Sequence, residues 1–469
     1  MKNYINLGYY VSAEIISKGV NFLMLPFLTH SMSMEEFGSI AVVVSITAIA
    51  SIFFTFSLQS SALRFYYDYI NDPKKLERLW GTILVTILIL STFFLALFFS
   101  TANFYSSLLG EVPFFPLVGL SLLSVAMSSV FMLFQSTIRV REDGGRYLKQ
   151  HLFRITVYIA AVIYLIFYES MGALGIILAT FIAEFVMFVY TVIIFGRELQ
   201  WCLDFKMLKH ASKYSVQFLP HNISGIILVY ADRLVINKVM SVGDVAIYNI
   251  ALSFAMIIGM LTSGANEAFQ PQAMRAIKEG KTDKLISFAK NLIYIYAAAA
   301  ILLSLFIVDV INLLFPVSYK GAAFLVPILL MTELLRGYYR IYSAPLFYDL
   351  KGPSFISAIT FIMAMIYIPV VYAGATFGGL EGVVYSTVVI EGFVTLLVYN
   401  IAKRRLYVPW DNAPMLIALF CMVIISVLII EVEIQLWLRM ILAVITVLFI
   451  AYQLRNFREY WWKKTIGNE

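Results

Sequence analysis

Runs of about twenty apolar residues recur along the whole chain, the length an α-helix needs to cross the hydrocarbon core of a bilayer. In lipid each backbone N–H and C=O must find its partner inside the protein, so such runs fold as spanning helices. A β-barrel would instead show short segments of alternating polarity, and none occur. Composition agrees: 61% of the 469 residues are hydrophobic and 13% charged, with a mean hydropathy of +0.86, whereas soluble domains are roughly half apolar and about a quarter charged. The spans fall at residues 7–28, 38–61, 80–102, 116–137, 148–168, 174–195, 215–237, 246–264, 288–308, 322–343, 355–375, 382–401, 415–430 and 436–454. The expected fold class is all-α integral membrane, with about fourteen transmembrane helices.

Lysine and arginine set the expected orientation, because cytoplasmic loops carry the excess of positive charge. Alternate loops are basic: Arg64, Lys74, Lys75 and Arg78; Arg139, Arg141, Arg146 and Lys149; Arg197, Lys206, Lys209 and Lys213. The series continues through Arg275, Lys278, Lys281 and Lys284, then Lys351, then Lys403, Arg404 and Arg405, and ends with Arg455, Arg458, Lys463 and Lys464. The intervening loops hold Glu35, Glu36, Glu111, Glu169, Asp244, Glu431 and Glu433, with Lys238 and Lys320 as exceptions. Both termini are therefore expected in the cytoplasm. The tail REYWWKK reads as an interfacial anchor. No cleavable signal peptide is expected, since Glu14 and Lys18 interrupt any apolar leader core.

The net charge of +6 is spread over many short loops, which argues against nucleic acid as a partner. Cys202 and Cys421, one in a loop and one in an apolar run, suggest neither a disulfide framework nor a metal site. A weak internal repeat is present: SMEEFGSIAVVVSI from Ser33 and SVGDVAIYNIALSF from Ser241 are both acidic turns leading into a helix rich in small residues, and each pair of spans is followed by a basic loop. Two similarly oriented copies of about six helices plus a trailing pair fit a transporter built from parallel repeats.

The informative residues are the charged ones inside the apolar runs, since intramembrane charges face an interior, a cavity or each other. Glu14, Lys18 and Asn21 share one face of the first span. The seventh carries Gln217, His221, Ser224 and Asp232 on one face with Arg233 and Asn237 beside it, and Pro220 is expected to kink it mid-span. The eighth repeats Asn249, Ser253, Met256, Met260, Ser263 and Glu267 at steps of three and four. The tenth puts Glu333, Arg336 and Arg340 together beside Tyr338 and Tyr339, and Glu184 and Glu391 are further intramembrane acids. Two readings stay open throughout. Glu14–Lys18 and Glu333–Arg336 are either self-neutralising pairs or cavity groups, Arg233 either snorkels or binds, and the polar face of the eighth span either packs or solvates a substrate. The surplus bases, Lys18, Arg233, Arg336 and Arg340, suit an anionic cargo such as a phosphate or pyrophosphate. No Walker sequence, His-rich metal cluster or nucleophile motif occurs, so neither an enzyme nor a cofactor is expected.

The opening run KGVNFLMLPFLTHSMSMEEFG, ALRFYYD after the second span, YADRLVIN in the seventh, VAIYNIALSF leading to NEAFQP in the eighth and the basic stretch near Lys403 come in the order found in one known family. Over about the first 400 residues the chain resembles the Wzx-type polysaccharide repeat-unit flippases, of the superfamily that also holds lipid II flippases and multidrug/toxin extruders. The resemblance implies two six-helix lobes around a central cavity (residues 1–200 and 201–405), followed by a C-terminal helix pair with the basic aromatic tail (residues 406–469). It implies transfer of undecaprenyl-pyrophosphate-linked oligosaccharide across the bacterial cytoplasmic (inner) membrane for surface polysaccharide such as O-antigen or capsule, with H⁺ or Na⁺ coupling. It also implies membrane lipids, a polysaccharide polymerase and a chain-length regulator as partners. Carried onto this chain, the head-group contacts would be Lys18, Arg64, Arg233, Arg336 and Arg340, and Glu14, Asp232 and Glu333 would couple ions or balance charge. The alternatives are a cation-extruding antiporter, which would favour a net acidic cavity, and a non-transporting scaffold of a polysaccharide assembly.

Overall fold

A computed structural model of the chain describes residues 2–349, 351–406, 408–431 and 435–466, which are overwhelmingly helical and contain no strand. The helices are α1 (Lys2–Ser31), α2 (Met34–Thr55), α3 (Leu58–Tyr69), α4 (Pro73–Ser100), α5 (Ala102–Leu109), α6 (Gly119–Val140), α7 (Gly144–Val162), α8 (Gly172–Phe195), α9 (Phe205–Ser215), α10 (Leu219–Val239), α11 (Val242–Glu279), α12 (Thr282–Leu314), α13 (Ala322–Ser343), α14 (Gly352–Leu406), α15 (Ala413–Glu431) and α16 (Leu436–Ile466). Among the described residues, 11 helices are long and apolar enough to cross a membrane. α14 is two spans joined at Gly379, whose φ of 57° breaks the helix. α10, which carries more polar groups, and the shorter α15 occupy the remaining expected spans. Glu433, and the side chains of Lys284, Glu431 and the 458–464 tail, lie outside the described residues.

The chain forms two compact units, Met1–Ala246 and Ile247–Glu469. In the first, α6 is the central post, packed against α2, α3, α4, α7 and α8, while α1 lies along α7. Its core gathers Trp80, Ile83, Phe134 and Phe195, all essentially inaccessible. In the second, α13 is the post against α12, α14 and α15, and α16 packs on α12.

One expectation is corrected and a second refined. The apolar run 38–61 is not one span: Phe56 and Ser57 adopt left-handed dihedrals, φ 44° and 57°. These end α2 at Thr55, and the more polar stretch that follows forms the separate helix α3. Pro220 follows closely on a 3₁₀ turn, Val216–Phe218, whose flanking residues keep right-handed helical dihedrals, so the run from α9 to α10 is irregular just before the proline. It sits in the first turn of α10, where its missing N–H has no intrahelical acceptor to lose.

The repeated turns are helix caps. Ser33 Oγ accepts from Glu36 N at 3.1 Å, and the Glu36 carboxylate accepts from Ser33 N at 2.9 Å, a reciprocal capping box. Ser241 does the same work three residues before Asp244, accepting from its N–H at 3.1 Å. The two turns interlock, since a Cβ added at Gly38 would lie 2.0 Å from the Val242 carbonyl oxygen. Glu36 also accepts from Ala173 N at 3.4 Å, tying the start of α8 to the same corner.

At the other end of these helices the connector after α8 is clamped. Glu198 accepts from Arg141 at 2.5 Å and from Arg146 at 2.9 Å. Burial alone would raise its carboxyl, but the two guanidinium groups hold it below the usual carboxylate range.

Two outcomes follow from these contacts. Gly38→Ala overpacks a backbone contact and lowers stability by about 1–3 kcal/mol, read as a lower thermal midpoint in detergent. Gly19→Ala, at a site with nothing within 4 Å, leaves the midpoint unchanged or higher; equal effects at both sites would remove the interlock argument. The Glu198 contribution is complete above its unfolded value of about 4.3 and is lost as pH falls through the lower folded value. Acid titration of stability is therefore shallower in Glu198→Gln than in the wild type, and superimposable acid limbs would show that the clamp contributes nothing.

Candidate functional site

In the first unit the α1 stripe does two things. Glu14 and Lys18 pair with each other at 3.3 Å, both about half exposed. Ser17 and Asn21 on the same helix line a cavity of about 200 Å³, with Arg154 and Tyr158 of α7 and Thr180 and Glu184 of α8. Arg154 meets Glu184 at 3.0 Å, and the Glu184 side chain is only 7% exposed. Arg154 was not singled out from the sequence, although His151, Arg154 and Tyr158 recur at steps of three and four in an apolar run. Gln135 Nε2 donates to Gln150 Oε1 at 2.6 Å, and Gln150 Nε2 to the Tyr190 hydroxyl at 3.4 Å.

The other first-unit candidates lie apart from that cavity. Arg64 pairs with Asp68 at 2.7 Å on the exposed side of α3. Arg233 and Asp232 are both buried. The Arg233 guanidinium folds back over its own helix, donating to the Val229 carbonyl at 2.6 Å and lying 3.5 Å from the Asp232 carboxylate. It also sits over the Tyr230 ring. Asn222, rather than His221, makes the cross-helix bond here, donating to Ser57 Oγ at 2.8 Å.

In the second unit the three charged residues of α13 meet a fourth. Arg336 donates through Nη1 to Glu333 at 2.6 Å and through Nε to Glu391 of α14 at 2.8 Å. Both carboxylate side chains are about 5% exposed or less. Arg340, one turn on, donates to Thr262 Oγ1 of α11 at 2.5 Å, and among the described residues no carboxylate lies within ion-pair distance of it. The helices approach closely because both sides carry glycine. A Cβ at Gly259 would lie 2.6 Å from Glu333 Oε2, and one at Gly337 would lie 2.9 Å from the Thr262 methyl. Glu333, Glu391, Arg336 and Arg340 sum to zero formal charge, so this cluster is balanced rather than cationic. Ser253 and Ser263 of α11 bond to carbonyls of their own helix. A further pair that spacing did not reveal, Arg439 with Asp309 at 2.5 Å, joins α16 to α12.

The profile of the family described as "Polysaccharide biosynthesis protein" matches residues 5–276. The chain belongs to this family. A relative from Haemophilus influenzae, "Lsg locus putative protein 1", is 22% identical over 407 residues, covering 83% of this chain and 95% of its own length. Among solved structures, the lipid II flippase MurJ in an inward closed conformation superposes with a TM-score of 0.75 at 12% identity, covering 97% of this chain and 99% of MurJ. A MATE protein in its straight conformation superposes at 0.57 with 15% identity, covering 87% of this chain and 96% of its own. The chain is thus a multi-pass membrane protein with the fold of the MurJ and MATE transporters.

Removing Arg336 strands two buried carboxylates side by side. Arg336→Ala is expected to cost about 3–5 kcal/mol, as for one partner lost from a buried pair. The triple variant Arg336→Ala/Glu333→Gln/Glu391→Gln recovers most of that loss in yield of monodisperse protein and in thermal midpoint. An Arg336→Ala protein as stable as wild type would show that the carboxylates reach solvent.

Proposed function

We propose that the chain is a flippase carrying undecaprenyl-pyrophosphate-linked oligosaccharide repeat units across the bacterial cytoplasmic membrane by alternating access, with both termini in the cytoplasm. What carries this reading is a fold shared over 97% of the chain with a protein described as a lipid II flippase, in a member of a polysaccharide biosynthesis family. In this reading residues 1–200 and 201–405 act as the two six-helix lobes, with 406–469 as an accessory pair.

The proposed head-group contacts are Lys18, Arg64, Arg233, Arg336 and Arg340, to which the position of Arg154 adds a sixth. They are not equally available. Arg340 is held by a hydroxyl, not a carboxylate, so donors of its planar fork remain for a phosphate. Lys18 is half exposed and can exchange Glu14 for a cargo oxygen. Arg336 and Arg233 are more enclosed, and Arg64 lies on a helix that does not span.

Exchange has a consequence for coupling. When a pyrophosphate takes Lys18 or Arg336, Glu14 or Glu333 loses its partner, and a coupling cation would replace that charge. Asp232, beside Arg233, would balance charge in the same way. Ion-gradient coupling enters the proposed cycle at that step.

Reconstitution into liposomes tests the reading. Purified wild-type protein loaded with a lipid-linked oligosaccharide should move the sugar to the opposite leaflet, scored by its accessibility to an added glycosidase. Loss of a charge-assisted contact is worth about 1.5–3 kcal/mol, so Arg340→Ala and Lys18→Ala should slow transfer at least tenfold at unchanged protein abundance. Wild-type rates in both variants would sink the cationic-contact assignment. Efflux of organic cations without lipid transfer would support the antiporter alternative, and no transport of either would support a scaffold.

A further inference from the structure

The segment between α8 and α10 is docked at the end of a membrane span. Gln200 N donates to the Glu77 carbonyl at 3.2 Å and Asp204 N to Thr82 Oγ1 at 3.2 Å. Arg78 pairs with Asp204 at 2.9 Å. Residues 77–82 are within the opening turns of α4, which begins at Pro73, so the connector lies at the depth where a spanning helix leaves the hydrocarbon. α9 continues from it and packs on α3, with the Phe65 ring 4.9 Å from His210 and 5.7 Å from Tyr214.

Read around its axis, α9 has three sectors. Ala211 and Ser215 are buried, with Met207 and Tyr214 beside them against the protein. Lys206, Lys209 and Lys213 are all exposed and, at steps of three and four, form one stripe. Between these two sectors the helix exposes Phe205, 74% accessible, with Val216 just past its end at 52% and Trp201 just upstream at 51%.

Among the described residues the stripe has no acid to satisfy it. No acidic residue follows the cap Asp204 within α9, and among the described residues no carboxylate is within ion-pair distance of the three lysines. Asp68 is engaged by Arg64, Asp72 by Lys75, Asp204 by Arg78, and Glu198 by Arg141 and Arg146. Exposed phenylalanine and tryptophan flanking a lysine row are unfavourable facing water. They are suited to the plane where headgroups meet acyl chains.

We propose that α9 with Trp201 is a binding surface for anionic phospholipid of the surrounding leaflet. The lysine stripe takes the phosphate headgroups while Phe205, Val216 and Trp201 sit among the upper acyl segments. This assignment is independent of which cargo the protein carries.

The test compares full-length protein in phosphatidylcholine nanodiscs with and without phosphatidylglycerol, reading thermal midpoint and the lipids retained in native mass spectrometry. The wild-type midpoint should rise with phosphatidylglycerol, and the rise should shrink at high salt. Lys206→Gln/Lys209→Gln/Lys213→Gln should lose most of the rise and at least tenfold in retained phosphatidylglycerol, with its midpoint in pure phosphatidylcholine unchanged. Lys403→Gln/Arg404→Gln/Arg405→Gln, elsewhere on the chain, should keep the response. Trp201→Ser/Phe205→Ser, with the charges intact, should retain less lipid than wild type. A triple-lysine variant that still responds fully, a wild type that does not respond, or an equal rise produced by inorganic phosphate alone would overturn the proposal.

Discussion

A charge inside hydrocarbon is expensive unless another charge or a strong hydrogen bond answers it, and the helix arrangement follows from that cost. Arg154 and Glu184 join α7 to α8, Arg336 and Glu391 join α13 to α14, and Arg439 and Asp309 join α16 to α12. Helices whose outer faces are as apolar as lipid tails gain little from hydrophobic association with one another. An ion pair between helices supplies what apolar packing lacks, a reason for one neighbour and one register. Small residues complete the fit: Gly259 and Gly337 let α11 and α13 approach until Thr262 reaches Arg340.

Hydropathy is a local, cumulative property of about twenty residues, and so the spans were readable from the sequence while their partners were not. Glu14–Lys18 and Glu333–Arg336 were visible because their spacing places them on one helix face. Glu391 and Arg336 are 55 positions apart and Arg154 and Glu184 are 30 apart. Periodicity gives a residue's face but not which helix stands opposite, so Glu184 and Glu391 read as lone intramembrane acids. That is why the sequence suggested a surplus of cations where the second unit holds a balanced cluster. The break at Phe56–Ser57 was hidden for a different reason: two left-handed residues in succession leave no signature when neither is glycine.

The weak repeat gains weight from its chemistry more than its letters. Identity between Ser33–Glu36 and Ser241–Asp244 is slight, yet both serines accept the N–H three residues on. Such caps satisfy donors that a spanning helix would otherwise leave open at its first turn. Gly38 keeps the starts of α2 and α11 in backbone contact. A helix start that must be capped and closely packed tolerates few residue types, so the pattern persists where the apolar body of the helix is free to drift.

Charge balance also bears on what a transporter can do with a cation. A cargo moves only if it is bound differently in two states and is released from the second. A cluster with large net positive charge would hold a pyrophosphate too tightly to let it go. In the second unit Glu333, Glu391, Arg336 and Arg340 sum to zero formal charge, and Arg340 is fixed by a hydroxyl rather than a carboxylate. An incoming phosphate would gain that one guanidinium without first displacing an acid. To recruit Arg336 as well it would have to outcompete two carboxylates already at 2.6 and 2.8 Å. That contrast, one arginine held by a hydroxyl and one by two carboxylates, is what the proposed carrier cycle would draw on.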